Sequence, residues 1–231
     1  MTQLLISIMN VQEASIAIAH GADIIDLKDP KTGALGALPI TTIKCIVDFM
    51  NGARPTSATV GDLPAQNSVQ VEVLVNAVLL LVETNVDFIK IGFYVTEDYQ
   101  PCLSELKNLI KMCLPKTVKL IAVLFAEYDY PAELTSELKK AGFVGVMIDT
   151  AIKNGKIYSD YQSFKITKKF ADEAILHNLS FGLAGSLSFK DIGDAKRFSP
   201  TYLGFRGGVC DRNTRQENLN IQQISEIRNL I

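Results

Sequence analysis

Short runs dense in Val, Ile, Leu and Phe recur along the chain, and each gives way to a stretch of helical period. The runs are Leu4–Ile8, Asp23–Lys28, Thr56–Val60, Phe88–Phe93, Val118–Ala126, Gly145–Thr150, Ser180–Gly185 and Tyr202–Gly207. Their alternation is weak, which suits parallel strands covered on both faces. Between runs, Val71, Leu74, Val75, Val78, Leu81 and Val82 follow the i, i+3, i+4 spacing of one helix face, as do Ile221, Ile224, Ile227 and Ile231. Pro131 is placed to open the fifth helix at its first turn, and Gly21 and Gly142 sit where C-terminal caps belong. Eight strand–helix units in 231 residues give about 29 residues each. The count predicts an α/β fold, a (β/α)8 TIM barrel, as one domain over residues 1–231. A doubly wound sheet would carry G-x-G-x-x-G after its first strand; here that position reads Ser7-Ile8-Met9-Asn10.

Composition narrows the function classes. Lys and Arg number 23 against 25 Asp and Glu, a formal charge of −2. That balance gives no electrostatic footprint for nucleic acid or an anionic membrane, so neither is expected as a partner. Residues 69–82, the most apolar stretch, are interrupted by Glu72 and Asn76 and fall short of the ~20 apolar residues a membrane span needs. Residues 1–10 lack the basic and apolar regions of a signal peptide, so a cytoplasmic protein is expected. The four cysteines form no C-x-x-C pair and read as reduced thiols, and only His20 and His177 represent histidine. With no ligand-spaced His or Cys and no dinucleotide fingerprint, no metal and no organic cofactor is expected. Apolar helix faces serve core and interface alike, so a homo-oligomer is compatible with the pattern.

In such a barrel, chemistry belongs at the C-terminal ends of the strands. The period of two puts Asp26 and Lys28 on the face opposite Ile25 and Leu27. By the same alternation Lys90 opposes Ile89 and Ile91, Asp149 opposes Val146 and Ile148, and Arg206 opposes Leu203 and Phe205. The apolar partners face the helices, so the charged residues face the barrel interior. All lie on even-numbered strands, which contribute to shared interior layers. Lys28, Lys90, Asp149 and Arg206 are therefore expected on one level, with Asp26 one step below. Lys153, four residues after Asp149, would reach the mouth through one helical turn. Buried ion pairs are a poor device for stability, which favours a functional reading of this cluster.

A lysine nucleophile must be neutral. Its reference pKa is about 10.4, and bringing that near 7 costs about 4–5 kcal/mol. Neighbouring cations and desolvation supply such a push, after which the amine can form a Schiff base with a carbonyl. Asp149 would then shuttle protons. The turns Gly185-Ser186 and Gly207-Gly208 stand at the ends of the seventh and eighth runs, where these barrels often hold phosphate. The expected ligand is a phosphorylated carbonyl compound, with its phosphate at Gly185, Ser186, Gly207 and Gly208. Lys90, Lys153 or Arg206 would supply any second anion site.

These residues carry a family resemblance that runs nearly end to end. It rests on Gly21-Ala22-Asp23-Ile24-Ile25-Asp26-Leu27-Lys28-Asp29-Pro30, Gly33-Ala34-Leu35-Gly36-Ala37, Gly61-Asp62-Leu63-Pro64 and Phe88-Ile89-Lys90-Ile91-Gly92, followed by Asp149-Thr150-Ala151-Ile152-Lys153-Asn154-Gly155, Leu183-Ala184-Gly185-Ser186 and Phe205-Arg206-Gly207. Taken in this order, the blocks resemble the 4-HFC-P synthase family, the (5-formylfuran-3-yl)methyl phosphate synthases of methanofuran biosynthesis. The resemblance implies a lyase that joins two molecules of glyceraldehyde 3-phosphate, with phosphate and water leaving. It implies Lys28 as the Schiff-base lysine, Asp149 as the principal general acid/base, and Asp26, Lys90 and Lys153 as supporting residues. Asp29 and Val95 depart from the family pattern, and the segment Asp129–Glu133 is short. On this reading Asp26 is the carboxylate that orients or deprotonates Lys28, and strand 4 brings no carboxylate to Lys90, the alternative nucleophile. The nearest rival is a class I aldolase acting on another phosphorylated carbonyl substrate.

Overall fold

A computed structural model describes residues 1–61, 68–94 and 99–231, with the backbone alone for 68–70. Asp62, Leu63, Pro64 and Val95 of the sequence reading lie outside the described residues. Eight strands alternate with eight helices: β1 (Gln3–Ile8), α1 (Val11–Ala19), β2 (Ile24–Leu27), α2 (Ile40–Met50), β3 (Thr56–Thr59), α3 (Ser68–Val82), β4 (Phe88–Phe93), α4 (Gln100–Met112), β5 (Lys119–Phe125), α5 (Leu134–Ala141), β6 (Gly145–Asp149), α6 (Phe164–Leu176), β7 (Ser180–Leu183), α7 (Ile192–Lys196), β8 (Tyr202–Phe205) and α8 (Ile221–Leu230). The strands are parallel and close in sequence order, with β1 sealed to β8 through pairs such as Ile6 with Phe205. The chain is thus a (β/α)8 barrel. No helix among the described residues is long and apolar enough to cross a membrane.

Strand alternation sorts the core into two parts. Ile25, Leu27, Ile89, Ile91, Val146, Ile148, Leu203 and Phe205 all lie in the layer between sheet and helices. The barrel interior holds a separate apolar cluster that includes Leu5, Ile121, Val123, Phe125, Met147 and Tyr202. That interior packing sits mainly on the β5 side, where Phe125 stacks on Tyr94 at 4.5 Å between ring centroids.

The β2–α2 loop fills the mouth over the same side. Leu35 is 1% exposed, and a Cβ added at Gly92 would lie 2.6 Å from its Cδ1. Glycine at 92 therefore lets Leu35 enter the barrel as a plug, a burial that contributes about 1.5–3 kcal/mol. The Gly36 carbonyl accepts hydrogen bonds from Thr59 Oγ1 at 3.0 Å and from the Asp29 amide at 2.8 Å, which tie the loop down.

Helix ends follow the local chemistry with one correction. Asn10 caps α1 by accepting from the Glu13 amide at 2.9 Å, and Gly142 ends α5 at φ +102°. Pro131 does not open α5. It belongs to the turn before the helix, where its carbonyl accepts from the Leu134 amide at 3.2 Å.

Candidate active site

A cavity of about 680 Å³ opens at the C-terminal end of the strands. Lys28, Lys90, Lys153, Asp26 and Asp149 line it together with Gly185, Ser186, Gly207 and Gly208. Lys28 follows β2 immediately, and its Nζ lies 3.8 Å from Asp149 Oδ2. Lys153 Nζ is 2.6 Å from Asp149 Oδ1 and 3.3 Å from Thr150 Oγ1. Asp149 therefore receives one cation on each carboxylate oxygen. Burial alone would raise its pKa, but Lys153 and Lys28 overcome that and hold it far below the usual carboxylate range.

Asp26 has a different partner from the one its position along the strand suggests. Its Oδ1 lies 2.5 Å from Lys90 Nζ and accepts from Ser57 Oγ at 2.6 Å, while Oδ2 accepts from Ser7 Oγ at 2.8 Å. Side chains two residues apart on a strand point in parallel directions, so the short Asp26 stays in its own layer and the long Lys90 reaches it across the barrel. Asp26 anchors Lys90 rather than Lys28. Burial works to raise the Asp26 pKa, and Lys90 and Lys28 together pull it below its ordinary value. Burial also lowers the pKa of Lys90, with Asp26 opposing only in part, and lowers that of Lys153 against the pull of Asp149.

Arg206 requires the second correction. It lines the cavity, but its guanidinium is spent on the scaffold. Nη1 and Nη2 donate to Glu13 Oε2 and Oε1 at 2.6 and 3.1 Å. The remaining donors go to the carbonyls of Ser7, Arg215 and Glu217 at 3.0, 2.7 and 3.1 Å. A fork with every direction filled has no donor left for a substrate phosphate. Glu13, buried on α1, also accepts from the Met9 amide at 2.8 Å, so the pair ties β1, α1 and the chain after β8 together. Sequence reasoning missed Glu13, Ser7 and Ser57.

Lys153 arrives as expected, though by another route: residues 150–157 form bends with no helical turn. Beside this loop, Gly185 has φ +89°, and an added Cβ would sit 2.7 Å from the Thr150 nitrogen and 3.1 Å from Asp149 Oδ1. Glycine is needed for both the conformation and the space. Among the described residues, no protein acceptor takes the Gly185 or Ser186 N–H. Gly208 packs against the neighbouring turn, where a Cβ would meet the Leu187 carbonyl at 2.3 Å. The turns after β7 and β8 are thus in direct contact at one rim of the cavity.

Two predictions follow from this geometry. Gly185→Ala should cost about 1–3 kcal/mol of stability and displace Asp149, lowering kcat by at least about tenfold; melting and steady-state kinetics check this, and a variant with parental kcat would contradict it. The second concerns acid. Asp149 and Asp26 have depressed folded-state pKa values, so they contribute stability in full above the unfolded value near 3.9 and lose it as pH falls through the folded values. Melting midpoints should drop steeply below about pH 4, and Asp149→Asn should flatten that fall. A fall of equal steepness in the variant would contradict the assignment.

The fold and cluster define a (β/α)8-barrel protein with a buried lysine–carboxylate centre at the C-terminal ends of its strands. Among solved structures, the chain is similar to phosphoribosyl anthranilate isomerase from Thermus thermophilus, with TM-score 0.67, 11% identity and coverage of 99% and 98% of the two chains. It is also similar to thiamine phosphate pyrophosphorylase from Pyrococcus furiosus, with TM-score 0.63, 10% identity and coverage of 99% and 94%. At such identities these likenesses concern the barrel alone. The family model for 4-HFC-P synthase matches residues 4–228. The (5-formylfuran-3-yl)methyl phosphate synthase of Methanosarcina acetivorans is 36% identical over 232 residues, covering 93% of this chain and 95% of the relative. That of Methanocaldococcus jannaschii is 34% identical over 237 residues, covering 98% of each. The chain belongs to the 4-HFC-P synthase family.

Proposed function

We propose that the protein condenses two molecules of glyceraldehyde 3-phosphate into 4-(hydroxymethyl)-2-furancarboxaldehyde phosphate, acting as a lyase in methanofuran biosynthesis. The observation that carries the reading is the Lys28–Asp149–Lys153 cluster, buried in a cavity rimmed by the Gly185-Ser186 and Gly207-Gly208 turns. Family membership supports the same product.

One triose reacts as its dihydroxyacetone phosphate isomer. The neutral Lys28 amine attacks the aldehyde carbon of the other triose, water leaves, and a C=N bond joins lysine to substrate. The imine withdraws electrons from the adjacent C–H, the ionised Asp149 accepts that proton to give the enamine, and the enamine expels the C3 phosphate. The terminal carbon so released, now part of an enol, attacks the ketone carbon of dihydroxyacetone phosphate, which sets the branched skeleton. The free hydroxymethyl oxygen closes the ring, two waters leave, and hydrolysis of the imine frees Lys28 and the aldehyde. Overall, two trioses lose one phosphate and two waters, and the product keeps every carbon. That balance is redox-neutral and calls for no external oxidant or reductant. Lys28 is favoured as nucleophile because its carboxylate neighbour stands at 3.8 Å, leaving the amine free to reach a carbonyl. Lys90 is pinned to Asp26 at 2.5 Å, and its lowered pKa suits it to proton transfer. The first phosphate docks at Gly185, Ser186, Gly207 and Gly208, through amides at the two turns. Lys153 supports Asp149 and the second anion.

Incubation with glyceraldehyde 3-phosphate alone tests the reading. A product with ultraviolet absorbance, the furan mass and a stoichiometric release of phosphate is expected. A non-absorbing aldol product that retains both phosphates would overturn it in favour of a class I aldolase.

A further inference from the structure

Lys153 stands on a turn with no helix to shape it, so something else must aim it. The turn begins at Thr150, whose N–H donates to Asp149 Oδ1 at 2.7 Å. The next two amides point to another residue. The Ala151 N–H donates to Glu127 Oε2 at 3.0 Å and the Ile152 N–H to Glu127 Oε1 at 2.9 Å. Three consecutive amides are thus held by two carboxylates, and the residue that follows is Lys153. Glu127 has a fixed base of its own. It follows the end of β5 by two residues, and the Ala126 amide before it donates to the Asp149 carbonyl at 2.9 Å. Tyr130 Oη accepts from the Phe125 amide at 2.9 Å and donates to the Phe93 carbonyl at 2.6 Å. Hydrogen bonds to an ionised carboxylate are stronger than neutral ones, and two on one side chain fix both the distance and the tilt of the turn.

We propose that Glu127 is a positioning residue: it clamps the β6–α6 turn so that Lys153 bears on Asp149, and its contribution to the reaction passes through Lys153. The inference rests on the reading of Asp149 as the working carboxylate. The charged groups that face Asp149 are Lys28 from the end of β2 and Lys153 from its own loop, with Lys90 of β4 within electrostatic reach; β7 presents Gly185, which carries no charge. Misplacing Lys153 removes one of two close cations, so Asp149 should hold a proton up to a higher pH.

The test is a double-mutant cycle on furan formation, using Glu127→Ala, Lys153→Ala and the double variant, with Glu127→Gln as the conservative change. Glu127→Ala should lower kcat by about tenfold to a hundredfold, with little change in KM. It should move the acidic limb of the kcat profile upward in pH, as Lys153→Ala should too. The double variant should be no slower than Lys153→Ala, because nothing is left to aim. Glu127→Gln keeps one acceptor and should recover part of the rate. Losses that add in full, or an acidic limb that stays in place, would overturn the proposal. If the parent itself makes no furan, the functional reading fails, and the inference is judged by melting. The acid-dependent fall in stability should then become shallower in Glu127→Ala and Lys153→Ala alike, and an unchanged fall in Glu127→Ala would overturn it.

Discussion

Lys28→Arg is expected to remove both turnover and any adduct that borohydride can trap. Arginine keeps the positive charge beside Asp149, so the electrostatics that hold the carboxylate survive. What disappears is the neutral amine, because guanidinium stays protonated and cannot form the imine. Loss of a covalent nucleophile should lower kcat by on the order of 10³-fold or more. Lys90→Arg is the control. A cation at that position still pairs with Asp26 and still supports the local potential, so trapping at Lys28 should persist at reduced yield. Appreciable turnover by Lys28→Arg would leave the barrel and the family in place but assign the chemistry to another lysine.

Asp149→Asn should lower kcat by about 10²- to 10⁴-fold, the range for loss of a general acid–base group. Its amide fills the same space and can still accept from Thr150 and Lys153, so the loop survives in outline. Two lysines nonetheless lose the charge that compensates their burial, and removing one partner from a buried ion pair costs about 3–5 kcal/mol. Activity and melting must therefore be measured on the same preparation, at a temperature where the variant is folded. A loss of less than about tenfold in kcat would show that Asp149 organises the lysines without handling the proton. KM should change much less than kcat, because the rim proposed to hold phosphate, at Gly185, Ser186, Gly207 and Gly208, is untouched.

The sequence was legible where period and position act alone. Ile25 and Leu27 against Asp26 and Lys28, or Val146 and Ile148 against Asp149, separate helix side from interior by strand alternation. Counting eight such strands was enough to close the barrel. The pairing inside it was not legible, because partners are chosen by distance across the interior. Asp26 meets Lys90, 64 positions later in the chain, rather than its near neighbour Lys28. Arg206 looked like an anion ligand because its strand face is right; its actual acceptor, Glu13, comes from a helix. Glu13 lies three residues after the capping Asn10, and that spacing was the one signal that could have marked it. The plug at Leu35 and the clamp at Glu127 are loop features, and no repeating pattern encodes a loop's path.

The central claim is that Lys28 bonds to the triose. Borohydride added during turnover of glyceraldehyde 3-phosphate, followed by peptide mapping, tests it most directly. The account predicts one reduced triose-phosphate adduct, on the peptide bearing Lys28, that forms at the rate of furan production and is absent without substrate. An adduct on Lys90 or Lys153, or furan production with no trappable lysine at all, would contradict it.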